Sequence, residues 1–249
     1  MLSDPSLIAW VAFTFLVGGA VKGVIGMGLP SWSIGMLTAV IGLHPAMAMM
    51  LAPTIVTNIW QALVGGHFRA VVLRVWPFFL VATVSILIGA PALTRIHVSW
   101  LSALLGFLLA AYGLFGLLRP SLSLAGYSET WVGVVAGFIN GFFGGMTGAF
   151  AVPGVPYLQA IGLRRDQLIQ AMGILFTLST IALAVGLGGQ KLLTFDLGLA
   201  SILAVFPALI GMAVGQVLRR RIPEAVFRKV FLSALIVLGG YIALRAGLG

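Results

Sequence analysis

Lys22-Gly23-Val24-Ile25-Gly26-Met27-Gly28-Leu29-Pro30 is the stretch on which the reading of this chain turns. Glycine destabilises a helix interior and proline removes a donor, so three glycines and a proline in so few residues predict a broken helix. Apolar runs flank the stretch at about 7–21 and 29–43. Each is about 15 residues, or about 22 Å as a helix, short of a hydrocarbon core of about 30 Å. The pair is expected to be two short spans or the arms of a re-entrant hairpin. Asn140-Gly141-Phe142-Phe143-Gly144-Gly145-Met146-Thr147-Gly148 has the same character, and a second break is expected there.

Composition sets the class. The chain has 249 residues, 61% hydrophobic and 8% charged, with a mean hydropathy of +1.16. An ordinary soluble domain is about 25% charged. An all-α integral membrane protein is predicted, a single membrane domain over 1–249 that contacts the lipid bilayer throughout. Apolar segments are read at about 7–21, 29–43, 46–65, 73–94, 99–118, 130–146, 148–162, 167–188, 195–218 and 228–247. There is no cysteine, and the three histidines and five acids are scattered, so no metal site and no cofactor are expected. The net charge of +9 comes from bases between apolar runs, which reads as membrane orientation and not as nucleic-acid binding. The first run lacks a basic leader, so a cleaved signal peptide is not expected.

The two glycine stretches anchor an internal repeat. Gly23, Gly26 and Gly28 align with Gly141, Gly144 and Met146, Ile41-Gly42-Leu43 with Ile161-Gly162-Leu163, Thr57 with Thr177, Gly89 with Gly215, and Ile96 with Ile222. Repeat one covers about 1–120 and repeat two about 127–249, with about five segments each. An odd number per half predicts inverted topology, each half carrying a Gly-rich broken or re-entrant pair. Crossing at every segment puts Arg69, Arg74, Arg119, Arg164, Arg165, Arg219, Arg220, Arg221, Arg228 and Lys229 on one side, against Arg95, Lys191 and Arg245 on the other. The richer side is expected to be cytoplasmic, with both termini outside.

Few polar groups interrupt the apolar runs. Lys22 either snorkels to the interface or presents its charge to an anion. The glycine breaks (Gly23, Gly26 and Gly28; Gly141, Gly144 and Gly145) either serve close helix packing or expose backbone donors that line a cavity. Half-helix N-termini facing each other near the midplane would suit an anion. Thr54, Thr57, Asn58 and Gln61 form one helical stripe, and Asn140 and Thr177 are polar in the second half; each either braces helices or shapes a pocket. Asp4, Glu129, Asp166, Asp196 and Glu224 fall in loops or at segment ends, which disfavours a proton relay, a sodium site or a cationic substrate. No phosphate loop or nucleophile constellation is present, so an enzyme is not expected.

Gly19-Ala-Val-Lys-Gly-Val-Ile-Gly-Met-Gly-Leu-Pro30 resembles the first repeat of the TauE/SafE family of sulfite and organosulfonate exporters. Gly137-Phe-Ile-Asn-Gly-Phe-Phe-Gly-Gly-Met-Thr-Gly148 resembles its second repeat, and Thr54-Ile-Val-Thr-Asn58 its third-segment pattern. The resemblance implies a secondary transporter of the bacterial inner membrane for sulfite, sulfoacetate or related small anions. An anion channel and a non-transporting scaffold are the alternatives. The six tryptophans suit interfacial belts or the face of a homodimer.

Overall fold

A computed structural model describes residues 4–118, 123–124 and 128–248. Arg119 and most of the junction between the two halves lie outside the described residues. The described residues form helices without strands. They are α1 (Pro5–Ile25), α2 (Leu29–Ile41), α3 (Leu43–Met49), α4 (Leu51–Leu63), α5 (Phe68–Gly89), α6 (Ala92–Arg95), α7 (Val98–Leu118), α8 (Glu129–Thr147), α9 (Gly154–Ala160), α10 (Arg165–Gly189), α11 (Phe195–Leu203), α12 (Val205–Leu218) and α13 (Glu224–Leu248). Six helical stretches among them are long and apolar enough to cross a membrane, and the bent pair α3–α4 makes up to seven. Large apolar side chains such as Trp131, Phe195 and Val237 are more than 70% exposed, the surface expected where lipid is the solvent.

Four helix pairs organise the bundle. Helices α1 and α12 run parallel, with Gly19 against Ala208 and Gly23 against Met212. Helices α5 and α8 run parallel with the same spacing, Gly141 against Ala82 and Gly145 against Ile86. Helices α7 and α13 are antiparallel, with Gly106 and Gly239 each against the other's carbonyl. Helices α4 and α10 are also antiparallel: Gly173 meets Ala62, while Ile59 and Thr177 line one groove. Within a bilayer there is little hydrophobic drive between helices, so close backbone approach at small residues supplies much of the packing. A Cβ at Gly19, Gly23, Gly141 or Gly145 would stand 2.0–2.3 Å from a facing carbonyl oxygen, closer than any real contact.

This packing narrows where, within the two glycine stretches, the helices break, and it corrects the expectation of short half-helices before them. Helix α1 continues through Lys22 and Gly23 for 21 residues, about 31 Å, so it is a full span and not a half-helix. Helix α8 continues unbroken through Asn140, Gly141, Gly144 and Gly145. Backbone left unpaired in hydrocarbon is costly, so glycines that sit against a neighbouring helix stay helical. The breaks come later, at Gly26–Gly28 and after Gly148. Gly26 (φ 77°) and Gly148 (φ 74°) end their helices in the left-handed conformation that glycine adopts freely. Their N–H groups donate to Lys22 O at 2.8 Å and Gly144 O at 2.7 Å. Matching these two ends sets the register at 122 residues and pairs Gly19 and Gly23 with Gly141 and Gly145. The position equivalent to Lys22 is then Gly144, one helical turn from the alignment with Asn140.

Candidate functional site

Helices α1, α4 and α12 end close together. Between their ends and the first turns of α10 lies a cleft of about 290 Å³. Lys22, Gly26, Thr57, Gln61, Gln216 and Arg219 contribute to its wall, with Gly23, Trp60 and Met212 beside them. Each polar side chain has a local reason for its place. Lys22 stands in the last turn of α1, where a cation offsets the negative end of the helix dipole. Its side chain is 5% exposed, and its Nζ donates to Asn58 Oδ1 on α4. Among the described residues the ion pairs are Arg74–Glu129 and Arg165–Glu224, so no carboxylate accompanies Lys22. Burying an ammonium without a counter-charge is expensive, and an anion in the cleft would lower that cost.

The stripe on α4 is entirely buried. Thr57 Oγ1 donates to Pro53 O at 2.8 Å, an i to i−4 bond. Asn58 spends its oxygen on Lys22 and leaves Nδ2 without a partner, a buried donor pair that an oxyanion could accept from. Gln61 Nε2 donates to Ile169 O at 2.7 Å on α10. In the opposite sense Gln170 Nε2 donates to Ala62 O at 2.7 Å, and Gln170 Oε1 accepts from His67 N at 2.9 Å. Gln61 therefore braces α4 on α10 and also borders the cleft.

The other expected residues lie elsewhere. Gly28 (φ 103°) opens α2 beside Phe231 and Val21, outside this cleft. Asn140 is fully buried on α8, and its Oδ1 accepts from Gly154 N at 3.0 Å. That bond caps the start of α9, so this half-helix N-terminus is already satisfied from within the protein. Gly141 and Gly145 pack on α5, and Gly144 faces Phe150. Thr177 donates to Gly173 O at 2.7 Å and borders an apolar groove between α4, α5 and α10. The starts of α2 and α9 do not border this cleft. Three helix C-termini surround the cleft, and its positive character comes from Lys22 and Arg219 instead of from free N–H groups.

Gln216 and Arg219 were not legible as site residues. Gln216 is a single amide in a long apolar run, and Arg219 reads as one of a basic cluster that sets orientation. The close packing of α12 on α1, with Gly215 against Ala20 and Gly23 against Met212, carries the end of α12 to the end of α1. Among the described residues no group of His, Cys, Asp or Glu is placed to hold a metal.

Neither the curated proteins nor the solved structures gave a match. The family described as "Sulfite exporter TauE/SafE" matches residues 11–242, a span that takes in every residue of the cleft. The chain therefore belongs to the sulfite exporter TauE/SafE family of membrane transporters.

Proposed function

We propose that this protein is a secondary transporter of sulfite, of an organosulfonate such as sulfoacetate, or of a related small anion, and that the anion enters the cleft at Lys22. The observation that carries the proposal is a buried lysine without a carboxylate in a cleft that also holds Arg219. The Lys22 ammonium supplies charge, the Asn58 oxygen holds that ammonium in place, and Arg219 on the cleft wall draws anions in from solution.

The two halves are proposed to be inverted repeats that rock to give alternating access. The matched spacing of α1 on α12 and of α8 on α5 supports this, as do the antiparallel pairs α7–α13 and α4–α10 that join the halves. The proposed setting is the bacterial inner membrane, with both termini periplasmic. The cleft then opens on the basic, cytoplasmic side, and the structure is read as the inward-facing state.

Counterflow in proteoliposomes tests the proposal. Labelled sulfite and sulfoacetate should exchange through the wild-type protein, and Lys22→Met should slow the exchange about tenfold or more, the loss expected for one charge-assisted contact. Exchange in Lys22→Met equal to the wild type, with both proteins folded, would overturn it.

A further inference from the structure

On the face opposite the Lys22 cleft, a second cleft of about 220 Å³ lies where the end of α2, the start of α7 and the end of α13 meet. Its wall holds Thr38, Ser99, Ser102, Tyr241 and Arg245, and no carboxylate. Thr38 is 8% exposed, and its hydroxyl has no hydrogen-bond partner. A hydroxyl taken out of water and left unpaired is costly, and it asks for a ligand.

Three further features converge on the same space. Ser99 and Ser102 lie in the first turns of α7 and bring two hydroxyls to the cleft, while the backbone N–H groups of Ser99 and Trp100 are held by His97, through Nδ1 at 3.4 Å and O at 3.0 Å. Arg245 Nη1 donates to Ala39 O, which seats the guanidinium over the end of α2. Its Nε and Nη2 hydrogens are left for a second acceptor. The guanidinium is a positive charge that no carboxylate in the wall offsets, and the hydroxyls beside it can donate, so a tetrahedral oxyanion finds partners on several sides while a cation meets a like charge.

We propose that this cleft is a tetrahedral-oxyanion site, independent of the Lys22 cleft and on the face that carries both termini. Val40, Trp100 and Leu244 are all more than half exposed and give the cleft an apolar border. The oxyanion is therefore either the phosphate of a phospholipid headgroup whose chains lie on that border, or a soluble sulfate- or phosphate-like ion.

The test uses the full-length protein in detergent, with two probes and two variants. Arg245→Gln removes the fork. Thr38→Val removes the orphan hydroxyl without changing shape, so it should fold at least as well as the wild type. Native mass spectrometry reads retention of phosphatidylglycerol against phosphatidylcholine. A thermal-shift titration in lipid-free detergent reads inorganic sulfate, sulfite and phosphate. Binding to the wild type that falls about tenfold in Arg245→Gln, and measurably in Thr38→Val, supports the site. If that dependence appears for phosphatidylglycerol alone, the occupant is a headgroup; if it appears for the free ions, the occupant is soluble. The free-ion titrations are repeated in Lys22→Met, which removes the first cleft's share of the anion response; the part that depends on Arg245 and Thr38 should remain there. Equal binding of both probes by the wild type and both variants, or no binding of either probe, would overturn the proposal.

Discussion

Gly141→Ala should loosen the protein even though alanine is the better helix former. At Gly141 an added Cβ would stand 2.0 Å from Ala82 O and 2.8 Å from Ser85 Cβ. Neither neighbour has a flexible end that can swing aside, because the first is backbone. An ordinary carbon–oxygen contact needs more than 3 Å, so α8 must move off α5 by about 1 Å. A gap of that size forfeits about a quarter to a half of each dispersion contact along the pair. Overpacking of this kind costs about 1–3 kcal/mol. The usual gain of about 1 kcal/mol for Gly→Ala does little to offset it, since a membrane helix is already hydrogen-bonded before it packs. Gly240→Ala is the control: it lies inside α13, and nothing stands within 4 Å of its added Cβ. Unfolding in mixed micelles, followed by loss of helicity and of tryptophan fluorescence, should show Gly141→Ala less stable by about 1–3 kcal/mol and Gly240→Ala unchanged or slightly more stable. If Gly141→Ala keeps full stability while transport is lost, the glycine acts by lining a path for the substrate, and the packing argument is wrong.

Four other outcomes are expected. Lys22→Met should leave stability near or above the wild type, because it removes a buried charge, while weakening anion-induced thermal stabilisation about tenfold or more; a large loss of stability with anion response intact would make Lys22 a brace only. Gly26→Asn should be tolerated better than Gly26→Val by about 1–2 kcal/mol, since φ is +77° and the space around the site is open to 3.7 Å, and a thermal scan in detergent decides it. Asn140→Leu should cost about 1–3 kcal/mol by orphaning Gly154 N, and hydrogen exchange should rise first at the start of α9. Arg219→Gln should raise the anion concentration needed for half-maximal exchange, with the difference from wild type shrinking as salt is raised.

The membrane class was legible from composition, and the buried polar positions Lys22, Asn58 and Gln61 because each is a departure from an apolar background. A lysine inside a hydrophobic run, or a stripe at i, i+3, i+4 and i+7, is a local signal. What the glycines do was not local. A cluster of glycines encodes either a break or a close approach, and the choice depends on which carbonyl stands opposite. For Gly141 and Gly145 that carbonyl lies on α5, more than fifty residues earlier. Asn140 illustrates the same limit: its oxygen is claimed by a backbone N–H inside the protein, and its Nδ2, like that of Asn58, is buried without a partner. Arg219 was hidden for the opposite reason, because a base at the end of a span already has a sufficient explanation in topology.

The α1–α12 contact also bears on how the chain is made. Gly19 and Gly23 enter the membrane early, but the carbonyls they pack against, at Ala208 and Met212, are synthesised roughly 190 residues later, about 10–40 s at ordinary elongation rates. Through that interval the first helix holds a bare small-residue face in the bilayer with its final partner still unborn. The half-chain up to residue 118 is therefore not a finished folding unit: α1 and α5 each wait for a helix from the other half. Under the proposed inverted repeat, two copies of such a half, inserted in opposite directions, would satisfy one another. A single chain that carries both secures the pairing at equal dose, at the cost of leaving its first segment to be guarded until its last helices arrive.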